Sequence, residues 1–290
     1  MKLILLLLLG PFCLMTNQAP STNPSIDPGI AKGSLKVNDK NITLRHAYAH
    51  LHDNAEGMLD DAEKFRVLFT DREVPPNALD GIAFLPVMEL ARQGQVQGLL
   101  FEMDPEDPNN VVMTLLQPPS GQGRFLIRQT INVSGGEDLF KDWKLTEKRV
   151  AGAIERRGER EPGLGDFPAI SYSVQFDAPV FNEPKVTADL KGKAAKDGPQ
   201  AHLLFAKADA LAKGDFAAAQ KVCTDRANRW NKAFLDDAKS DSVARQAAEM
   251  KKSLQKIQRV VERGDRAVVI LSGKHWFSFV REGGEWKSDD

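Results

Sequence analysis

The chain has 290 residues, enough for two domains of ordinary size that each bury a core of their own. Its 39 lysines and arginines are balanced by 40 acidic residues, which excludes the concentrated basic surface that nucleic-acid affinity depends on, and no nucleic-acid partner is expected. Of the two cysteines, Cys13 falls in an apolar N-terminal stretch and leaves Cys223 alone, so no internal disulfide is expected.

Residues 1–19 read as a secretory signal peptide. Met1-Lys2 gives the basic start, residues 3–9 an unbroken apolar run, Gly10-Pro11 a breaker and Ala19 a small residue near the end. The run is shorter than a bilayer-spanning helix needs, so the mature chain is expected to have no transmembrane segment and to work in the periplasm or outside the cell. Lipid attachment at Cys13 is not expected, because Phe12 puts a bulky ring where a lipoprotein signal has a small side chain. Residues 20–33 are rich in Pro, Ser and Asn and are predicted to be a disordered tether.

Residues 34–180 are predicted to form an antiparallel β-rich domain, a sandwich or open barrel. Residues 34–44 alternate around an Asn38-Asp39 turn as a hairpin does. Further strands are predicted at 64–70, 96–103, 111–117, 124–133, 149–156 and 171–178, most of them bounded by Gly, Pro, Asp or Asn. Residues 76–92 instead carry a helical pattern with proline in its first turn and a kink or break at Pro86. Residues 181–200, with Pro184, Gly192, Gly198, Pro199 and several lysines, read as a linker.

From residue 201 the periodicity becomes helical. Leu204, Ala208 and Leu211 mark a first helix that Gly214 ends. Asp215 caps a second with the stripe Phe216, Ala219, Cys223, Ala227 and Trp230. A third carries Val243, Ala247, Met250, Leu254 and Ile257. Four strands follow, at 258–262, 267–271, 275–280 and 285–288, with glycine turns between them. Residues 201–290 are therefore predicted to be an α+β domain of helices packed on a four-stranded antiparallel sheet.

Here a resemblance appears. Lys213-Gly214-Asp215-Phe216 between two helices, then Gly264-Asp265-Arg266-Ala267-Val268-Val269 and Gly283-Gly284-Glu285-Trp286-Lys287, resemble the cone-shaped nuclear transport factor 2-like superfamily, in particular its short exported bacterial members. The resemblance implies a curved sheet folded around helices with a pocket between them. That superfamily includes isomerases, small-molecule binders and interaction modules, so no activity is implied. The N-terminal region resembles β-rich domains of secreted bacterial proteins through residues 35–40 and 176–179, with no function attached. Residues 211–219 also imitate one tetratricopeptide motif, but no second copy follows.

Three groups of residues could carry chemistry. His46, His50 and His52 are three of the five histidines, and in a strand all three share one face, as a metal site would require. No acidic or cysteine partner stands nearby at ligand spacing, so solvated or hydrogen-bonded histidines are the plainer reading. Cys223 could be a reactive thiol, but its stripe neighbours predict a buried, inert one. His275 alternates with Phe277 and Phe279 and could act as a general acid or base with Asp209 or Asp215, although nothing in the spacing fixes such a partner. Nucleophile elbows, phosphate loops, dinucleotide fingerprints, zincin helices and cysteine pairs are absent from the sequence.

The sequence thus predicts an exported bacterial protein that is a non-catalytic binding or interaction module for a protein or small-molecule ligand, with no cofactor. An enzyme with its pocket around His275 is the first alternative, and metal binding by His46, His50 and His52 the second.

Overall fold

The computed structural model describes residues 29–53, 55–57, 64–79, 85–118, 127–132, 139–157, 168–229, 231, 240–273 and 275–290. The predicted signal peptide with Cys13, the tether up to residue 28 and Trp230 lie outside the described residues. Among those described, no helix is long and apolar enough to cross a membrane.

Nine strands form the first sheet: β1 (Gly29–Val37), β2 (Lys40–His52), β3 (Lys64–Thr70), β4 (Gly98–Asp104), β5 (Asp107–Leu116), β6 (Ile127–Asn132), β7 (Phe140–Leu145), β8 (Arg149–Arg156) and β9 (Ile170–Asn182). Their order is β6-β5-β4-β3-β2-β1-β9-β8-β7, and the sheet is nearly closed into a barrel. Alternation drives the curl. Ile170, Tyr172, Val174, Phe176 and Ala178 of β9 point inward and the residues between them outward. Strands far apart in the order then meet through the interior, with Phe101 of β4 5.8 Å from Phe140 of β7 and 5.7 Å from Tyr172, ring centre to ring centre.

β1 begins at Gly29, five residues before the predicted start of order, because residues 29–33 are wedged between β2 and β9. Gly33 sits at a register shift in the β1–β2 ladder, where an added Cβ would stand 2.1 Å from the Ser173 carbonyl oxygen. Past the Gly29 start of β1, its two neighbours close on each other, and residues 49–51 of β2 pair in parallel with 180–182 of β9. Both strands run antiparallel to β1, so parallel pairing is the only register open to them.

Between β3 and β4 the described residues include two short helices, α1 (Pro76–Leu79) and α2 (Leu85–Arg92), within the span of the predicted helical pattern; Pro86 stands in the first turn of α2, where its missing N–H costs nothing. They cover the outer face of the barrel through a second core of Tyr48, Leu68, Leu79, Val87, Ala91 and Leu100.

The predicted linker is structured. It contains β10 (Ala188–Lys191) and α3 (Lys193–Lys196), and β10 joins the second sheet as a fifth strand, one more than predicted. That sheet has the order β10-β11-β12-β13-β14, with β11 (Ile257–Arg263), β12 (Arg266–Leu271), β13 (Trp276–Glu282) and β14 (Glu285–Ser288). One face packs on α4 (Pro199–Ala212) and α6 (Ser240–Leu254) through Leu204, Ala208, Leu254, Val260, Val269 and Phe279. Asp215 caps α5 (Phe216–Lys221), its Oδ1 accepting from the Ala218 N–H at 3.0 Å. The stripe predicted to continue to Trp230 is interrupted. The chain turns at Val222, Cys223 forms a bridge with Ser288, and Thr224 caps a new helical stretch, residues 225–229.

Candidate functional site

The alternation of β2 sends Ala47 and Ala49 into the barrel and His46, Tyr48, His50 and His52 to its outer face. Register then builds a row across the sheet: His50 on β2 faces Arg66 on β3, which faces Glu102 on β4. Arg66 is fully buried and its Nε donates to Glu102 Oε2 at 2.8 Å, while Nη1 and Nη2 are buried without a hydrogen-bond acceptor. On the other side the parallel pairing sets His50 opposite Phe181, ring centres 4.7 Å apart. Glu183 follows just past the end of β9, where its Oε1 accepts from His52 Nδ1–H at 2.7 Å and lies 3.6 Å from His50 Nε2.

The second sheet supplies the remaining charge. Val260 points to the helices, so Val261 and Arg263 point the other way, toward the barrel. Buried Arg263 donates from Nε to Glu56 Oε1 at 2.5 Å, from Nη1 to the Pro184 carbonyl at 2.7 Å and from both terminal nitrogens to Asp53, with Glu183 Oε2 3.5 Å from Nη2. Residues from the β2–β3 loop, the β9–β10 segment and β11 thus meet in one cluster. Burial, with the charge of Arg66 next in importance, holds the His50 imidazole well below its ordinary pKa. Burial raises the Asp53 carboxyl, but hydrogen bonds from Arg263 and the Ala55 N–H outweigh it and leave the group below the usual carboxylate range.

Glu56, Glu183 and Arg263 of this cluster line a cleft of about 700 Å³, with Pro75 and Leu90 on the helical side and Val261, Val268 and Arg281 on the sheet side. A second cavity, of about 510 Å³, opens within the C-terminal unit between the helices and the end of the sheet. Its walls are mainly apolar, with Leu211, Val243, Ala247, Met250 and Phe277, and its polar groups include Lys207, His275 and Asp290. Lys207 is buried and donates to Ser288 Oγ at 3.1 Å and to the Asp290 carbonyl at 2.8 Å. Burial pushes the Asp290 carboxyl up to about 6 against the opposing effects of the Ser278 N–H and Lys207.

The structure places the sequence-derived candidates unevenly. His50 and His52 come together at Glu183, whereas His46 stands opposite Thr70 on the same face, about 13 Å from His50 by the rise of a strand. His275 is exposed at the mouth of the second cavity, with Asp209 bound to Lys251 at 2.5 Å and Asp215 used as a helix cap. Cys223 is buried, its Sγ donating to the Ala219 carbonyl at 3.3 Å. Glu56, Glu183, Arg263 and Asp290 were not legible as site residues. Glu183 had one available signal, an acidic residue directly after a long strand.

No family model, curated protein or solved structure matches this chain.

Proposed function

We propose that the protein is an exported binding module without catalytic activity of its own, which takes a small apolar ligand into the cavity of its C-terminal unit. The observation that carries this reading is the cavity itself. Its volume falls within the range of small-molecule sites, and it combines apolar walls with a few polar groups at defined places, the usual makeup of such sites. The groups that chemistry would need are otherwise occupied: Lys207 is held by Ser288 and Asp290, and the acids weighed as partners of His275 serve Lys251 and a helix cap. Helices laid over an antiparallel sheet with a cavity between them support the nuclear transport factor 2-like reading, and the leader-like residues 1–19 support export.

The competing reading, catalysis in the same cavity, has Asp290 in its favour, since a carboxyl raised to about 6 suits proton transfer near neutral pH. Titration with the uncharged fluorophore N-phenyl-1-naphthylamine tests the binding reading. Saturable binding is expected, lost in Met250→Trp, which fills the cavity, and kept in His275→Gln. Absence of saturable binding by the wild-type protein overturns it. Loss of biological activity in His275→Gln with unchanged thermal stability favours catalysis instead.

A further inference from the structure

We propose that His52, Glu56 and Glu183 form a site for one divalent transition-metal ion of the zinc class at the cleft between the barrel and the second sheet. The inference does not rest on the cavity reading above.

Geometry comes first. One ring nitrogen of His52 and one carboxylate oxygen from each of Glu56 and Glu183 lie within 4.8 Å of one another. Ligand atoms about 2.1 Å from a common ion in a tetrahedral set stand about 3.4 Å apart, so closing on the ion requires a contraction of at most about 1.4 Å. Such a shift is within reach of side-chain torsions. The three ligands come from the end of β2, the loop after it and the segment just past β9. The parallel β2–β9 pairing holds the first and third in place.

The second argument is unused bonding capacity. Glu183 is 8% exposed, and its Oε2 has no hydrogen-bond donor, with Arg263 Nη2 3.5 Å away. Buried polar atoms are nearly always satisfied, and such an orphan marks a place where a partner belongs. The ion would bind Glu183 together with Nδ1 of His52, the ring nitrogen that faces it, and the ring proton would move to Nε2.

Charge points the same way. Asp53, Glu56 and Glu183 all pair with Arg263, so three carboxylates share that guanidinium. Of the cations nearby, Arg66 pairs with Glu102 and Arg259 with Asp189. A divalent cation offsets that negative charge. Arg263 donates to both Glu56 oxygens, to Oε1 at 2.5 Å and to Oε2 at 3.4 Å, so an ion would take Glu56 by the more weakly held Oε2 while Nε keeps Oε1 in place. Imidazole and carboxylate donors without thiolate favour Zn²⁺ or Mn²⁺ over Cu⁺, and the nitrogen ligand disfavours Mg²⁺ and Ca²⁺. This ligand set is not the one the histidine spacing suggested, because His46 is too far along the strand to join it.

The test uses the full exported chain, stripped with a chelator, loaded with Zn²⁺, desalted and assayed for metal. About one equivalent is expected to remain on the wild type and on His46→Ala, as a site built from folded ligands requires. His52→Ala and Glu183→Gln should weaken binding by more than the about 10- to 100-fold that follows loss of a merely supporting group. Because these buried variants could fail to fold, Co²⁺ is added to the wild type as an independent readout. Intense visible bands of a four- or five-coordinate ion are expected. No retained zinc on the wild type, a hydrate-like cobalt spectrum, or loss of binding in His46→Ala overturns the proposal.

Discussion

At His50, burial and the nearby guanidinium of Arg66 act in the same direction, and both favour the neutral imidazole. The sign of the stability effect follows from linkage. A histidine whose folded pKa lies below its unfolded value of about 6.5 contributes stability that is present above that pH and lost as pH falls through the folded pKa. Asp290 has the opposite sign, since its carboxyl is raised in the fold and favours the protonated form at low pH. Comparing wild type with His50→Asn cancels the Asp290 contribution. Thermal melts between pH 7.5 and 5 are expected to show wild type losing stability more steeply than the variant on acidification. Parallel curves for the two would contradict the neutral, buried state of His50.

The elements show where sequence pattern speaks and where it is silent. Most barrel strands announced themselves through period-two alternation and bounding turn residues, and the helices of the C-terminal unit through their stripes; β7, whose register shifts between Lys141 and Lys144, carried no such pattern and was missed. What failed was composition used as a guide to disorder. Gly29 and Gly33 looked like tether residues, yet glycine is required there because neighbouring backbones approach too closely for a side chain. Gly33→Val is expected to cost at least about 2 kcal/mol in denaturant unfolding, since the Cβ would collide with the backbone of β9. A variant as stable as wild type would mean that β1 does not run between β2 and β9. Cys223 is a similar case of register mattering more than identity. Its helix stops two residues earlier, but the bridge to Ser288 still buries the thiol. Native protein should react with a thiol reagent only on the unfolding timescale, and rapid labelling at native conditions would refute that burial.

Pairs close in sequence, such as His50 and His52, could be grouped by spacing alone, but their partners could not. Glu183 lies 131 residues from His52, and Arg263 207 residues from Glu56. Such contacts are created only when β9 returns beside β2 and the second sheet turns the Val261–Arg263 face toward the barrel. The same contacts couple the two units of the chain. Arg263 is buried in the cluster and bonded there to Asp53, Glu56 and the Pro184 carbonyl, so it links the second sheet to the barrel loop and to the segment after β9. Replacing it by methionine preserves much of the side-chain volume but leaves Glu56 and Glu183 buried without their cation. Removing one partner of a buried ion pair costs about 3–5 kcal/mol. That cost falls on the contact between units, since the cores of the barrel and of the C-terminal unit contain none of these residues. Calorimetry of wild type is therefore expected to show one cooperative transition. Arg263→Met is expected to split it into two, one for each core. A single transition in the variant, shifted by less than a degree, would show that Arg263 does not hold the units together.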